Sequence, residues 1–127
     1  MQPRKIVILT LRMIVAGVFL QTLFFKFTGA AESIFIFETV GLEPAGRYAT
    51  GFAELIASVL LLWPSQYRRG AMLSILIIVP AIILHLTVLG IVVHDDGGLL
   101  FALACSVLAG SATLLILGRK TEQGGIS

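Results

Sequence analysis

The sequence contains little cysteine, little histidine and little charge. One cysteine, Cys105, and two histidines among 127 residues exclude a disulfide framework, a pair of redox-active thiols, and zinc or iron–sulfur sites built from this chain alone. The sequence also lacks a glycine-rich phosphate loop and a serine nucleophile motif, which excludes the common nucleotide-binding and serine-hydrolase sites. Charged residues make up only 13% of the chain, about half of the roughly 25% that soluble domains carry.

Apolar residues take the place of the missing charge. They make up 57% of the chain, and the mean hydropathy of +1.01 indicates that lipid is the solvent of this protein. The net charge is +2 and the pI is about 9.0, but the basic residues flank the apolar runs and form no continuous basic face. We therefore expect a lipid bilayer as a partner of this chain, and no nucleic acid.

Four apolar runs are long enough to cross a hydrocarbon core of roughly 30 Å, and residues 1–127 fit a single domain. The runs cover residues 6–27, 47–63, 71–93 and 99–117. The segment between the first two, residues 28–46, is too short and too charged to cross the membrane and return. It predicts a short interfacial or re-entrant helix that ends near Gly41 and Pro44, or else an ordinary amphipathic loop. The predicted fold is an all-α membrane protein, a four-transmembrane-helix bundle with this short helix between its first two spans.

The first run also resembles a secretory signal peptide. Basic residues precede it, and Thr28-Gly29-Ala30 resembles a cleavage site. Its length and the interrupting Arg12 favour a retained transmembrane span instead. We therefore count it among the four spans.

Four spans place both chain termini on one side of the membrane. Six of the nine cations then share that side, and five of the seven acids lie opposite. The cations are Arg4, Lys5, Arg68, Arg69, Arg119 and Lys120, and the acids are Glu32, Glu38, Glu43, Asp95 and Asp96. The positive-inside rule assigns both termini to the cytoplasm. We expect a multi-pass protein of an inner (plasma) membrane.

The second span carries a carboxylate, Glu54, at its middle. A charged side chain at the centre of a bilayer costs roughly 2.5–3.5 kcal/mol on insertion scales, so it requires a partner or a watery cavity. Arg47, Thr50 and Ser58 share the helix face of Glu54, because all four recur at helical spacing. We expect that face to point into the bundle.

Small residues recur at helical spacing on two of the spans. They favour close packing of membrane helices, because small side chains let two backbones approach. One ridge on the second span consists of Ala49, Ala53 and Ala57, and a seam on the fourth span consists of Ala102, Ser106, Ala109 and Thr113.

Helix geometry suggests which polar side chains meet inside the bundle. At a rise of 1.5 Å per residue, Glu54 and His85 lie at similar depth on the outer side of the midplane. Arg12 lies on the inner side, and its side chain is long enough to reach about one helical turn. We predict that Arg12, Glu54 and His85 form one polar cluster. Lys26 and Arg47 are predicted near the outer-side acids Glu32, Glu38, Asp95 and Asp96.

Each of these residues also has a structural interpretation. Arg12 and Glu54 fit an ion pair that fixes helix register, and His85 fits a neutral imidazole held in the core by one hydrogen bond. Lys26 fits a side chain that snorkels to the interface, and Arg47 fits an interfacial residue. His94-Asp95-Asp96 resembles a set of metal ligands, but consecutive residues on a glycine-terminated turn predict a helix end and a solvated acidic loop, and no metal site.

Several short motifs occur together in an order typical of one family. Arg12 precedes Lys26-Phe27-Thr28-Gly29, then Val40-Gly41-Leu42-Glu43-Pro44 follows, and Gly51-Phe52-Ala53-Glu54-Leu55 leads into Leu60-Leu61-Leu62. Over about residues 4–117 the chain resembles the DoxX-like family of small four-helix membrane proteins. The resemblance implies a bacterial protein with both termini in the cytoplasm. The motif positions that it implies are Arg12, Lys26, Gly29, Gly51 and Glu54, and we expect structural roles for Gly29, Gly51 and Arg47.

The resemblance also implies a class of ligand. The family takes its name from a membrane subunit associated with thiosulfate:quinone oxidoreductase, so a quinone is the implied cofactor. Electron exchange between thiols and quinone is excluded for this chain alone, because Cys105 is its single thiol. The first hypothesis is therefore an accessory subunit of a quinone-linked membrane redox assembly, not catalytic by itself, in which Arg12, Glu54 and His85 line the quinone site.

Two other functions fit the same sequence. One is a structural or assembly protein, whose small-residue ridges contact another membrane protein or a second copy of this chain. The other is a small-solute or proton pathway, which requires a continuous watery cavity between Arg12 and Lys26.

Overall fold

The computed structural model describes residues 3–92 and 97–123, which form five α-helices and one π-helical turn. The helices are α1 (Pro3–Thr28), α2 (Ala31–Thr39), α3 (Ala45–Leu62), α4 (Tyr67–Leu84) and α5 (Leu99–Gln123), and the π-helical turn His85–Leu89 continues α4. Four segments are long and apolar enough to cross a membrane: α1, α3, α4 with its π-helical turn, and Leu99–Gly118 of α5. The predicted all-α fold with four spans is confirmed.

The four spans form a ring in chain order. Each packs against the span before it and the span after it, and α5 packs back against α1. Apolar side chains fill the centre of the ring, among them Val15, Phe19, Ala57, Leu61 and Leu114. The outer surface carries many exposed large apolar side chains, as a bundle in lipid requires.

The two ends of the bundle are named here by the elements that close them. The turn end contains the start of α1, the α3–α4 turn and the start of α4. The α2 end contains α2, the end of α1 and the start of α3. The predicted turn at His94-Asp95-Asp96 lies outside the described residues, as do the side chains of Arg119 and Lys120.

At the turn end, the third span begins earlier than predicted. The predicted run starts at about residue 71, but the helix α4 already begins at Tyr67. The turn contains only Pro64, Ser65 and Gln66 between Trp63 and the helix. Arginine is a good helix former, so Arg68 and Arg69 belong to the first turn of α4.

At the α2 end, two glycines end consecutive helices. Gly29 has φ +73° after α1, and Gly41 has φ +78° after α2. The backbone N–H of Ala30 then donates to the Phe25 carbonyl over 3.0 Å, and that of Leu42 donates to Phe37 over 2.8 Å, as in Schellman caps. The segment between the first two spans is thus a short helix, and the alternative of an ordinary loop is wrong.

The small-residue patterns lie differently from the prediction. On α5, Ala102, Ser106 and Ala109 are exposed, whereas the face that packs into the bundle carries Gly110 and Ser111. The predicted seam therefore does not pack within the bundle. On α3 the residues of the predicted ridge differ in burial, since Ala49 is exposed and Ala57 is fully buried.

Candidate functional site

Glu54 is buried near the middle of α3 and is 3% exposed. The Lys26 ammonium lies 3.2 Å from Glu54 Oε1 and donates a hydrogen bond to Oε2 over 3.4 Å. Thr22 donates to Oε2 over 2.9 Å. Beyond this ion-pair contact with Lys26, Oε1 accepts no hydrogen bond from the described part of the chain. The predicted inward orientation of this face of α3 is confirmed, because Arg47, Glu54 and Ser58 are all buried.

Lys26 reaches Glu54 because α1 and α3 approach closely at Gly51. A Cβ atom on Gly51 would lie 3.0 Å from the Phe27 ring and 3.5 Å from Cβ of Lys26. Any larger residue would push the end of α1 away from α3 and lengthen the ion pair. Gly51 therefore has a structural role in placing the site.

Arg47 holds the backbone beneath Lys26. Its guanidinium donates to both carboxylate oxygens of Glu43, over 2.8 and 3.0 Å, and a further hydrogen bond goes to the Lys26 carbonyl. Its guanidinium carbon lies 4.5 Å from the centroid of the Tyr48 ring. The Lys26 carbonyl is at the C-terminal end of α1, where helix carbonyls lack helical partners. Arg47 is therefore a buried link between α1 and α3 and is not simply an interfacial residue.

The predicted partners of the two outer cations differ from the observed ones. Lys26 and Arg47 were predicted near Glu32, Glu38, Asp95 and Asp96; Glu32 lines the same cavity as Lys26, and Asp95 and Asp96 lie outside the described residues. Lys26 pairs with Glu54 instead of snorkelling to the interface, and Arg47 pairs with Glu43 four residues earlier. A buried carboxylate is the stronger attractor for Lys26, because its charge is screened less than that of an interfacial acid.

Arg12 does not join Glu54, so the predicted cluster of Arg12, Glu54 and His85 is wrong in this respect. Arg12 Nε donates to the Leu61 carbonyl over 2.7 Å, and Nη2 donates to Leu62 over 3.0 Å. Its guanidinium carbon lies 5.3 Å from the Tyr67 ring centroid. Unpaired carbonyls at the end of α3, with the negative end of the helix dipole, attract the guanidinium towards the nearer membrane surface. Arg12 therefore caps α3 at the turn end.

His85 lies in the π-helical turn and is 5% exposed. Its Nδ1 is 2.9 Å from the Gly90 carbonyl oxygen, and its ring meets the edge of Phe101 at a centroid distance of 5.6 Å. A carbonyl only accepts hydrogen bonds, so Nδ1 carries the proton, and in the neutral ring Nε2 is an acceptor. π-Helical turns in membrane and soluble helices occur frequently at functional sites.

A cavity of about 560 Å³ connects these residues. Its wall includes Thr22, Lys26, Glu54 and His85, and α2 contributes Ser33 and Phe37. The wall also includes the polar residues Glu32 of α2 and Thr50 of α3, and the rest of it is mainly apolar. A volume in this range suits a ligand of drug size. The cavity therefore brings three of the four predicted polar residues to one space, while Arg12 lies outside its lining.

The arrangement is suited to a neutral ligand with a polar head. Lys26 and Glu54 compensate each other, so a metal cation would meet an ammonium group beside its carboxylate ligand. A hydroxyl or carbonyl group can take hydrogen bonds from one partner and, for a hydroxyl, give one to the other. The apolar wall would cover the remainder of such a molecule.

Sequence reasoning missed two polar residues of the cavity wall, Thr22 and Ser33. Thr22 precedes Lys26 by four residues on α1, so the two share a helix face. That spacing was a usable signal for Thr22. Ser33 has no comparable signal, because its place depends on how α2 folds over the bundle.

Comparison with known proteins identifies the family. The family model DoxX matches residues 7–94. No curated protein and no solved structure matches the chain. The matched region contains the Lys26–Glu54 pair, the capping Arg12, His85 and both structural glycines. The chain therefore belongs to the DoxX family of membrane proteins.

Proposed function

We propose that this protein binds an amphipathic ring compound of the quinone class in the cavity at the α2 end and acts as an accessory subunit of a membrane redox assembly. The observation that carries the proposal is the cavity itself, about 560 Å³ of mainly apolar space with a buried ion pair in its wall. A polar head and an apolar body on one ligand match these two parts of the wall.

The polar wall offers both kinds of hydrogen-bonding group. Lys26 can donate to a ring oxygen, Glu54 can accept from a ring hydroxyl, and His85 Nε2 can accept when it carries no proton. Arg12, which the sequence placed in the quinone site, has no part in this proposal, because it caps α3 at the other end.

An accessory role follows from the redox chemistry that the chain lacks by itself. Interconversion of a quinone and its reduced form requires a donor or acceptor of two electrons. Cys105, the single thiol, is exposed on α5 and is not part of the cavity wall. We therefore assign electron transfer to a partner and ligand binding to this chain.

Ligand binding is tested by thermal unfolding of the purified protein in nanodiscs with decylubiquinone, in its oxidised and reduced forms. Binding at 100 times Kd adds about 2.7 kcal/mol of stability, which for a chain of this size raises Tm by about 5 °C or more. Ala104→Leu places a larger side chain in the cavity wall and should abolish the shift.

The matched control is Ala102→Leu, on the same helix but exposed and outside the cavity wall. It should keep the full shift. Absence of any shift with either form of the compound, together with a gently extracted protein whose mass spectrum contains neither quinone nor a redox-active partner, would count against the proposed function.

We further propose that the turn end faces the cytoplasm, in an inner (plasma) membrane. Arg4, Lys5, Arg68 and Arg69 lie at the turn end, and Glu32, Glu38 and Glu43 lie at the α2 end. In a Cys105→Ala background, Glu38→Cys should react with an impermeant maleimide on spheroplasts. Ser65→Cys, in the α3–α4 turn, should react only after permeabilisation, and the reverse result would invert the orientation.

A structural or assembly role is a second candidate, supported by the outward face of α5. Ala102, Ser106 and Ala109 are exposed there, and the Ser106 hydroxyl already donates to the Ala102 carbonyl over 2.9 Å. Such a face permits close packing by another membrane protein or a second copy. Ala109→Phe should then reduce association in cross-linking without changing the response to ligand. Unchanged association would remove this candidate.

The small-solute or proton pathway gains no support from the geometry. Val15, Ala16, Ala57 and other fully buried apolar side chains lie between the level of Arg12 and the level of Glu54. Arg12 also lies outside the cavity wall. We therefore do not propose this function.

A further inference from the structure

The helix that covers the cavity, α2, is held less firmly than the spans around it. Residues of α2 and its two flanks, between positions 30 and 42, line the cavity at the α2 end. Of the nine residues of α2, only Ser33 and Phe37 are buried. Glu32, Ser33 and Glu38 make no side-chain hydrogen bond or ion pair with any residue that the structure describes. A small buried area therefore holds α2 in place.

The backbone at the two ends of this segment is held more firmly. Arg47 donates a hydrogen bond to the Lys26 carbonyl, at the end of α1, and two to the carboxylate of Glu43, over 2.8 and 3.0 Å. Lys26 pairs in turn with Glu54 at 3.2 Å. The end of α1 and the start of α3 thus form a linked frame, and α2 lies between these two fixed points.

A glycine with positive φ lies at each end of α2. Gly29 has φ +73° and Gly41 has φ +78°. A Cβ on Gly41 would meet no atom of the described residues within 4 Å, so this glycine serves the backbone conformation and not close packing. Hinges consist of a few residues at the ends of elements that absorb changes in φ and ψ. Both ends of α2 meet this description.

We propose that α2 is a hinged lid, which rotates about Gly29 and Gly41 to admit a ligand to the cavity and packs over the ligand through Phe37. This inference rests on the proposed function, because it assumes that a ligand occupies the cavity, and it adds how the ligand enters and leaves.

Phe37 couples the lid to the ligand. It is the largest buried side chain of α2, and it also lines the cavity. The apolar body of a bound ligand adds to the surface against which the Phe37 ring packs. A ligand therefore binds the covered state more tightly than the uncovered one, and it shifts the lid towards the covered state.

The position of α2 at a membrane surface permits the motion. The backbone groups within α2 are paired inside the helix, so the helix can move as a unit without exposing unpaired groups to lipid. Glu32 and Glu38 are exposed on α2 and keep it in the polar interface. Rotation of the lid would open the polar wall of the cavity towards this interface, where water solvates it.

Hydrogen–deuterium exchange of the protein in nanodiscs, read by mass spectrometry, measures opening of the lid. The probe is decylubiquinone, in the form and at the concentration that give the full thermal shift. We expect it to slow exchange of the α2 amides at least about tenfold, because it binds the covered state. Exchange in the α3–α4 turn should change by less than about twofold, because opening of the lid leaves the turn end folded.

Variants test the lid without any ligand. Phe37→Ala removes the largest buried group of α2 and should speed exchange of the α2 amides at least about tenfold. Phe52→Ala is the matched control, since Phe52 is 59% exposed on α3 and lies outside the cavity wall. It should leave α2 exchange within about twofold of the original. If Phe37→Ala does not fold, the effect of decylubiquinone on the unaltered protein decides alone.

Binding kinetics distinguish a lid residue from a fixed wall residue. If α2 must open before the ligand enters, Phe37→Ala should speed association of decylubiquinone as well as dissociation. A fixed wall residue would change dissociation alone. Surface plasmon resonance on immobilised nanodiscs measures both rates.

The outcomes separate this inference from the proposed function. Equal α2 exchange in Phe37→Ala and Phe52→Ala overturns the lid, as does a bound ligand that leaves α2 exchange unchanged, and either result leaves the cavity as a ring-ligand site. If neither form of decylubiquinone shifts Tm, the proposed function is wrong. The comparison of Phe37→Ala with Phe52→Ala then decides on the lid, because faster α2 exchange in Phe37→Ala alone supports it and equal exchange overturns it.

Discussion

The two ends of the bundle each receive one charged side chain from α1 and use it differently. At the turn end, Arg12 donates to the Leu61 and Leu62 carbonyls over 2.7 and 3.0 Å. At the α2 end, Lys26 meets the carboxylate of Glu54, and a cavity of about 560 Å³ adjoins the pair. Arg12 closes the turn end, whereas the α2 end keeps an open cavity beside Lys26.

The difference lies in the acceptors. Backbone carbonyls at a helix end are fixed by the helix, so a guanidinium that caps them also draws α1 and α3 together. A side-chain carboxylate offers more acceptor positions than Lys26 and Thr22 fill. A charge in a membrane protein thus strengthens packing when it binds backbone, and leaves binding capacity when it binds another side chain at a cavity.

The largest expected effect is the loss of the cap at the turn end. Arg12→Leu removes two hydrogen bonds from a charged donor, which at about 1.5–3 kcal/mol each lower the free energy of unfolding by about 3–6 kcal/mol. Titration with SDS in mixed micelles measures this change. Arg69→Leu, at an exposed position of the same end, should change it by less than about 0.5 kcal/mol. Equal effects of the two substitutions would show that Arg12 acts only as a surface charge.

A smaller effect is expected from breaking the ion pair at the α2 end. Lys26→Met leaves Glu54 unpaired, but the adjacent cavity is large enough to admit water, so the loss should be about 2–3 kcal/mol and less than for a dry pair. Adding Glu54→Met removes the stranded charge and should restore stability to within about 1 kcal/mol of the original. A double variant as unstable as the two single losses combined would mean that the pair itself stabilises the bundle.

The fold was largely predictable because membrane spans depend on local composition. Each run of about 20 apolar residues specifies a span by itself, so the four spans needed no knowledge of tertiary contacts. The exception shows the limit of this reasoning. The start of α4 at Tyr67 depends on how short a turn can be, and charge alone placed it four residues too late.

The sequence predicted most residues of the site, but not which of them contact one another. Burial of Glu54 followed from its helix face, and its sharing of a cavity with His85 followed from depth. The choice of cation did not follow, because Arg12 and Lys26 both reach about one helical turn. Arg12 donates to the backbone carbonyls at the end of α3. A prediction that compares only side chains leaves these acceptors out.

Adding methyl groups should lower stability more at the turn end than at the cavity of the α2 end. A Cβ on Gly70 would lie 2.7 Å from the Leu61 backbone nitrogen, so Gly70→Ala should destabilise the bundle by about 1–2 kcal/mol. Ala81→Val adds two methyl groups at the wall of the cavity and should change stability by less than about 0.5 kcal/mol. Both are measured by SDS titration. Equal costs would indicate that the cavity is absent in the membrane-embedded protein.

The smallest expected effect concerns Gly29, which ends α1 at the α2 end. Gly29→Ala forces an L-residue to φ +73°, which costs about 1 kcal/mol, although the added Cβ would have ordinary contacts of 3.6 Å or more. The control is Gly17→Ala within α1, where a Cβ meets no atom of the described residues within 4 Å and better helix propensity should stabilise by about 0.5 kcal/mol. Thermal unfolding of the two variants in nanodiscs measures the difference. Because Gly29 ends α1 three residues after Lys26, its substitution should also weaken ligand binding, whereas Gly17→Ala should not. A destabilised Gly29→Ala variant with full ligand affinity would show that the α1–α2 turn contributes to folding alone and does not position Lys26.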